Sequence, residues 1–263
     1  MTVMFNQNWF KGIGFFSGDT EAVSQILIEH AVKKELATVH LVNVFTLHLA
    51  SQQRSLYANL LKADYCLSDS RFIELKLKRS DGVCQVRGED LFATLAKLSV
   101  SKNLGHFFIG GSEGSIEKSQ EFIRKNISPI RIAGWKAPWI ESPENFDWSA
   151  LAEDVKGARA DIVWVGLGTP KQDFAVHNLG KFLDVPIIPI GAVFNVWSSE
   201  AKPSPKIFAN FGIEWLHRLV QDPIRLVPRY LGSPVLTLLN LLFLPTSSKP
   251  IQKSPNQDKD HIQ

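Results

Sequence analysis

The sequence predicts an α/β fold built on a mostly parallel sheet with helices on both faces. Three observations predict it. Uncharged runs rich in β-branched and aromatic residues recur along the chain, and Ile162–Gly166 has the composition of a strand covered on both faces. Segments of helical length separate these runs. Glycine turns at Gly110-Gly111, Gly166-Leu167-Gly168 and Gly191 follow the strand ends, where such a chain must turn toward its next helix.

In chain order, residues 38–44 read as an apolar strand, 45–62 as a helix, and 65–67 as a short strand ending at Ser68-Asp69-Ser70. A helix over 89–98, a strand over 106–109 and a helix over 115–125 follow. Residues 130–133 form another strand, succeeded by a loop over 134–146 and a helix over 149–157. Beyond 162–166, a helix over 173–182 leads to a strand over 186–190 and the Gly191-Ala192 turn. This alternation implies right-handed βαβ units in a Rossmann-like core spanning 1–200.

At 263 residues the chain can bury a core that needs no staples. Its two cysteines, Cys66 and Cys84, form neither a metal-spaced pair nor a disulfide framework, which points to a reducing compartment and to core thiols. Asp19 and Glu21 come before any long apolar run, so no signal peptide is expected and the cytoplasm is the expected location. The net charge of +3 is mild, and no nucleic-acid partner is expected.

The basic residues are unevenly placed. Lys202, Lys206, Arg218, Arg225 and Arg229 face only Glu214 and Asp222, and residues 230–244 are then almost wholly apolar. That run is shorter than the roughly 20 residues needed to span a bilayer. Residues 201–245 therefore read as a helical appendage that lies on a membrane surface, the arginines drawing it to anionic headgroups, or that packs on the core or a second copy as a homo-oligomer. Residues 246–263 are polar and proline-containing, as a disordered tail would be.

The most informative segment is A-D-I-V-W-V-G-L-G-T-P-K-Q-D, residues 160–173. A buried strand runs into Gly166 and Gly168, and Thr169, Lys171, Gln172 and Asp173 stand where a helix should open. Backbone N–H groups at such a turn can hold a phosphate or sugar nucleotide. A purely structural corner is the other reading, because both the dinucleotide fingerprint and the phosphate-loop pattern are incomplete. Ligands of open α/β sheets bind beyond the carboxyl ends of the strands. That rule gathers Asn43, Asp69, Gly110, Gly111, the 166–172 turn and the 191–195 turn around one crevice. Asp69 is either a general base or a turn and capping aspartate.

Seven segments, in order, carry a family resemblance: V-N-V-F-T-L-H-L-A, L-S-D-S, V-R-G-E-D-L, F-I-G-G, A-D-I-V-W-V-G-L-G-T-P-K-Q-D, G-A-V-F-N-V and G-I-E-W-L-H-R-L-V-Q-D-P-I-R-L-V-P-R-Y. The chain resembles the WecG/TagA/CpsF family of bacterial glycosyltransferases, glycosyltransferase family 26, from about residue 39 to residue 230. The resemblance implies an inverting, metal-independent transferase, with no cofactor. It would move a hexose-type sugar (N-acetylmannosamine, its uronic acid or glucose) from a UDP-sugar to a polyprenyl-diphosphate-linked acceptor at the cytoplasmic membrane face, in cell-surface polysaccharide synthesis.

The resemblance also implies roles. Asp69 maps onto the proposed base; Asn43, Thr46, Gly110, Gly111, Gly166, Gly168, Thr169, Lys171, Gln172 and Asn195 onto the substrate-binding segments. Arg218, Arg225 and Arg229 look like the family's C-terminal arginines, able to neutralise diphosphate by bidentate hydrogen bonds. Their other reading is a solvated basic face. The chain departs from the family at Ser70, where glycine is usual after the aspartate, and at Leu41, where threonine is common. Those departures raise the alternative of a non-catalytic sugar-nucleotide or lipid-binding component. A dehydrogenase fits poorly, since no acidic ribose-binding residue follows at the required distance.

Overall fold

The computed structural model of the protein describes residues 8–10, 12–127, 129–191 and 193–198. The expected appendage over 201–245, the tail beyond it, and Arg218, Arg225 and Arg229 lie outside the described residues.

Among the described residues, eight strands form one sheet: β1 (Asn8–Phe10), β2 (Ile13–Phe15), β3 (Ala37–Val42), β4 (Tyr65–Ser68), β5 (Gly105–Gly110), β6 (Arg131–Lys136), β7 (Ile162–Gly166) and β8 (Pro186–Pro189). Their spatial order is β1-β2-β4-β3-β8-β7-β5-β6. β1 runs antiparallel to β2 at one edge, and every other pairing is parallel.

Nine described helices flank the sheet: α1 (Thr20–Lys33), α2 (Val44–Gln52), α3 (Arg54–Lys62), α4 (Arg71–Asp81), α5 (Gly88–Val100), α6 (Glu113–Asn126), α7 (Trp148–Gly157), α8 (Lys171–Leu179) and α9 (Val193–Trp197). On one face, α1, α5, α6 and α9 bury Leu27, Phe92, Ile123 and Phe194 against Val39, Phe108, Trp164 and Ile188 of the strands. On the other, α7 and α8 cover Phe107, Val163 and Ile187, while α2, α3 and α4 cover Phe15, Val42 and Cys66. The two-sided cover explains why β7 carries no charge: Ile162, Val163, Trp164 and Val165 are all fully buried.

The helix expected over 45–62 is two helices. Gln53, at φ −117° and ψ 103°, is extended and separates α2 from α3. Helices α1 and α4 and the hairpin β1–β2 were not anticipated from the sequence. α1 had a readable start, because Asp19 accepts the Ala22 N–H at 2.9 Å as an N-cap. Of the two expected core thiols, Cys66 is buried and Cys84 is only half-buried; both are free. Among the described residues, no helix is long and apolar enough to cross a membrane.

The chain leaves neighbouring strands for opposite faces at two places. β5 feeds α6 on one face and β7 feeds α8 on the other; β3 feeds α2 and β8 feeds α9 in the same opposed manner. Such divergence opens a crevice at the carboxyl edge of the sheet.

Candidate active site

Asn43 follows β3 and caps α2. Its extended backbone, φ −119° and ψ 179°, lets Oδ1 accept the Thr46 N–H at 3.0 Å and the Thr46 hydroxyl at 3.2 Å. The Asn43 Nδ2 group is left free to donate toward Asp69 Oδ2, 3.5 Å away. Thr46 itself is fully buried, and its hydroxyl serves the cap.

Asp69 is the first residue beyond β4. Its N–H donates to the Val42 carbonyl at 2.9 Å, one step past the β3–β4 pairing that ends at Val42↔Ser68. The backbone of the aspartate is thus held by the sheet, while its side chain is half-buried at the edge. Ser68 Oγ donates to the Ser70 carbonyl at 3.0 Å and closes the turn. Ser70 sits at φ −136° and ψ 124°, extended backbone open to any residue, so the serine in place of glycine costs no strain. Leu41 is in the core.

The glycines on the opposite wall divide into two kinds. Gly110 (φ 124°) lies beside Gly166 on the next strand, and a Cβ there would come within 2.5 Å of the Gly166 carbonyl oxygen. A Cβ on Gly166 would meet the Phe194 ring at 2.3 Å, and one on Gly111 would meet Ser115 Oγ at 2.9 Å. These three glycines allow close packing of strand ends and α9. Gly168 (φ 73°) and Gly191 (φ 64°) instead face open space, with nothing within 4 Å of a notional Cβ. At those two turns a ligand can approach the backbone directly.

Gln172 joins these open turns. It is buried, its Oε1 accepts the Gly191 N–H at 3.1 Å, and its Nε2 donates to Thr169 Oγ1 at 3.2 Å. Both ends of the amide are engaged within the protein. Lys171 reaches away from the turn and donates Nζ to the Ile140 carbonyl at 2.5 Å, with Trp139 beside it at 6.0 Å from the ring centre. Trp139 is 88 % exposed and presents a flat aromatic face to solvent. Asp173, grouped by sequence with the other polar residues of the turn, points into the core and accepts from His40 Nδ1 at 2.9 Å. Asn195 lies in α9.

Sequence reasoning passed over Arg87. The Val86 N–H donates to the Ser68 carbonyl at 2.8 Å, and a Cβ on Gly88 would lie 3.5 Å from Ile190 Cα. Half-buried Arg87 therefore stands at the carboxyl edge, between the ends of β4 and β8, as the residue that opens α5. The V-R-G-E-D-L segment carries part of the family resemblance and the start of a helix, with no role assigned to its arginine; the signal was an arginine just ahead of the acidic first turn Glu89-Asp90.

The arrangement provides a sheet-anchored carboxylate with an amide beside it, a guanidinium, and two open glycine turns. It can accept a proton, balance anionic charge and admit a phosphate or sugar close to the backbone at those turns.

The model of the glycosyl transferase WecG/TagA/CpsF family matches residues 9–249. The chain is also similar to an N-acetylglucosaminyldiphosphoundecaprenol N-acetyl-beta-D-mannosaminyltransferase of Bacillus spizizenii (strain ATCC 23059 / NRRL B-14472 / W23). They are 29 % identical over 179 residues, which cover 67 % of this chain and 68 % of that protein. The match takes in both walls of the crevice, and the chain belongs to the WecG/TagA/CpsF family of glycosyltransferases.

Proposed function

We propose that the protein transfers a hexose-type sugar from a UDP-sugar to a polyprenyl-diphosphate-linked acceptor, with inversion, at the cytoplasmic face of the membrane. The relative from Bacillus spizizenii is named for an N-acetylmannosaminyl donor group and an undecaprenol-diphosphate acceptor. That name favours N-acetylmannosamine over its uronic acid or glucose.

The observation that carries the reading is that Asp69 and the Gly168 and Gly191 turns all follow carboxyl ends of strands in one sheet, with Asn43 3.5 Å from the Asp69 carboxylate. Asp69 takes the proton of the acceptor hydroxyl as its oxygen bonds to the anomeric carbon. The bond from that carbon to the diphosphate oxygen breaks, and its electron pair leaves with UDP. Arg87 and the backbone of the turn over residues 166–169 offset the charge on the departing diphosphate, with Arg218, Arg225 and Arg229 adding to it. Trp139 offers a stacking face to the nucleobase. Thr46, Gln172, Gly110, Gly111 and Gly166 shape the site from behind, and Lys171, Thr169 and Asn195 border it.

The non-catalytic alternative draws on Ser70 and Leu41. Ser70 adopts an unstrained conformation and Leu41 packs in the core, so neither favours it.

The test is UDP release from a panel of UDP-sugars in the presence of a polyprenyl-diphosphate-linked N-acetylglucosamine. Acceptor-dependent release from one donor, UDP-N-acetylmannosamine first, is expected. No release from any donor, or release indifferent to the acceptor, would refute the reading.

A further inference from the structure

The pairing between β3 and β8 is short. It includes Ala37↔Pro186 and Thr38↔Ile187 and then stops, although β3 continues to Val42. Continued in register, His40 would face Pro189, which has no N–H to donate. β8 instead stays with β7: Val165 pairs with Pro189, and the Ile190 N–H donates to the Val165 carbonyl at 2.9 Å. Toward its carboxyl edge the ladder therefore has a gap, with the strands that lead to Asn43 and Asp69 on one side and those that lead to the Gly168 and Gly191 turns on the other.

The first turn of α8 bridges that gap with two consecutive residues. Gln172 grips the second side through Gly191 and Thr169. Asp173 grips the first, accepting from His40 Nδ1 at 2.9 Å, with both side chains at most 1 % exposed. Asp173 Oδ2 has no hydrogen-bond partner among the described residues. Cys66 lies opposite His40 on β4, and burial, then the Asp173 charge, pushes its thiol pKa up. A one-sided carboxylate at this depth is costly for stability alone, since apolar side chains of similar size would fill the space.

We propose that the buried His40–Asp173 pair is a latch that sets the width of the crevice, fixing the distance between the Asp69 carboxylate and the donor-holding turns. The pair touches neither substrate. It is a positioning device, and its kinetic consequence rests on the transferase reading above. A small misplacement of reacting groups costs turnover more than it costs binding to a single wall.

The test compares the parent with the double variant His40→Leu/Asp173→Leu, which removes the link without leaving a buried charge, and with Asp173→Asn, which keeps a carbonyl oxygen for the His40 donor. In the full chain, the double variant should bind UDP within about threefold of the parent while kcat falls by about ten- to a hundredfold. Asp173→Asn should keep kcat within about threefold. Spin labels at Leu75→Cys on α4 and Glu153→Cys on α7, in a Cys84→Ser background, read the separation of the two sides without any chemistry. The latch predicts a broadened or displaced distance distribution in the double variant and the parental one in Asp173→Asn. An unchanged distribution in the folded double variant overturns the latch whether or not the parent transfers sugar. Unchanged kcat in that variant, or an equal loss in folded Asp173→Asn, overturns it as well. If the double variant does not fold, Asp173→Asn decides alone: a lost parental distribution in the folded protein rejects the latch. Absence of transfer by the parent, with the distance shift present, rejects the function reading and leaves the latch standing.

Discussion

The Asn43 side-chain amide lies 3.5 Å from the Asp69 carboxylate while its own oxygen caps α2 through Thr46. One residue thus starts a helix and orients the candidate base, and the two tasks can be separated. Asn43→Asp keeps an oxygen for the Thr46 N–H but sets a second carboxylate against Asp69. Stability should stay within about 0.5 kcal/mol, because aspartate and asparagine cap equally well. The acid limb of the pH–rate profile should move upward, since like charges favour the protonated form. A lost cap with an unmoved profile would contradict the assignment.

Gln172→Ala removes the acceptor of the Gly191 N–H and the donor to Thr169. The unpaired backbone group should cost about 1–3 kcal/mol in urea denaturation. The donor KM should rise as well, because both open turns lose their common brace. A variant of parental stability with unchanged KM would remove Gln172 from the account.

The two kinds of glycine predict different outcomes on alanine substitution. Gly110→Ala combines φ 124° with a Cβ 2.5 Å from the Gly166 oxygen, so strand ends must separate. It should destabilise clearly more than Gly168→Ala, which has φ 73° but open space and should cost only about 1–2 kcal/mol of left-handed strain. If Gly168→Ala spares stability to that degree yet weakens UDP binding in calorimetry, the turn is a ligand contact. Equal costs at both positions would contradict the packing distinction.

His106 gives a pH signature of the fold. Its Nδ1 accepts the Trp164 indole N–H at 2.9 Å, so the proton sits on Nε2 and donates to Ser99 Oγ at 2.8 Å. Burial pulls its pKa down from 6.5 to about 3. The unfolded chain binds a proton below about 6.5 and the native chain does not, so stability is full above that pH and falls as pH drops toward about 3. The slope from this group is at most about 1.4 kcal/mol per pH unit. Urea melts across that range should show a shallower acid slope in His106→Gln than in the parent; equal slopes would contradict it.

The sequence made β7 and its turn legible because a strand covered on both faces must be uncharged and its turn needs glycine. It located the carboxyl-edge set around Asn43, Asp69, Gly168 and Gly191 for the same reason: parallel strands alternating with helices present all their ends on one side. The inward turn of Asp173 was not legible. Helical residues one apart point in different directions, so Lys171, Gln172 and Asp173 look like one polar cluster in the sequence and serve three environments in the fold. Arg87 escaped because its place depends on Val86 joining Ser68, a contact between distant segments. The break at Gln53 escaped too, since glutamine is a good helix former and its type marks no helix end.

Whether Asp69 is the base is tested by the turnover of Asp69→Asn with the donor and polyprenyl-diphosphate acceptor that the parent uses. Asparagine preserves the shape beside Asn43 but cannot take the proton. With Asp69 as the base, kcat should fall by about 10²- to 10⁴-fold, with UDP affinity and thermal stability close to the parent. Turnover at the parental rate would contradict it and remove Asp69 as the base.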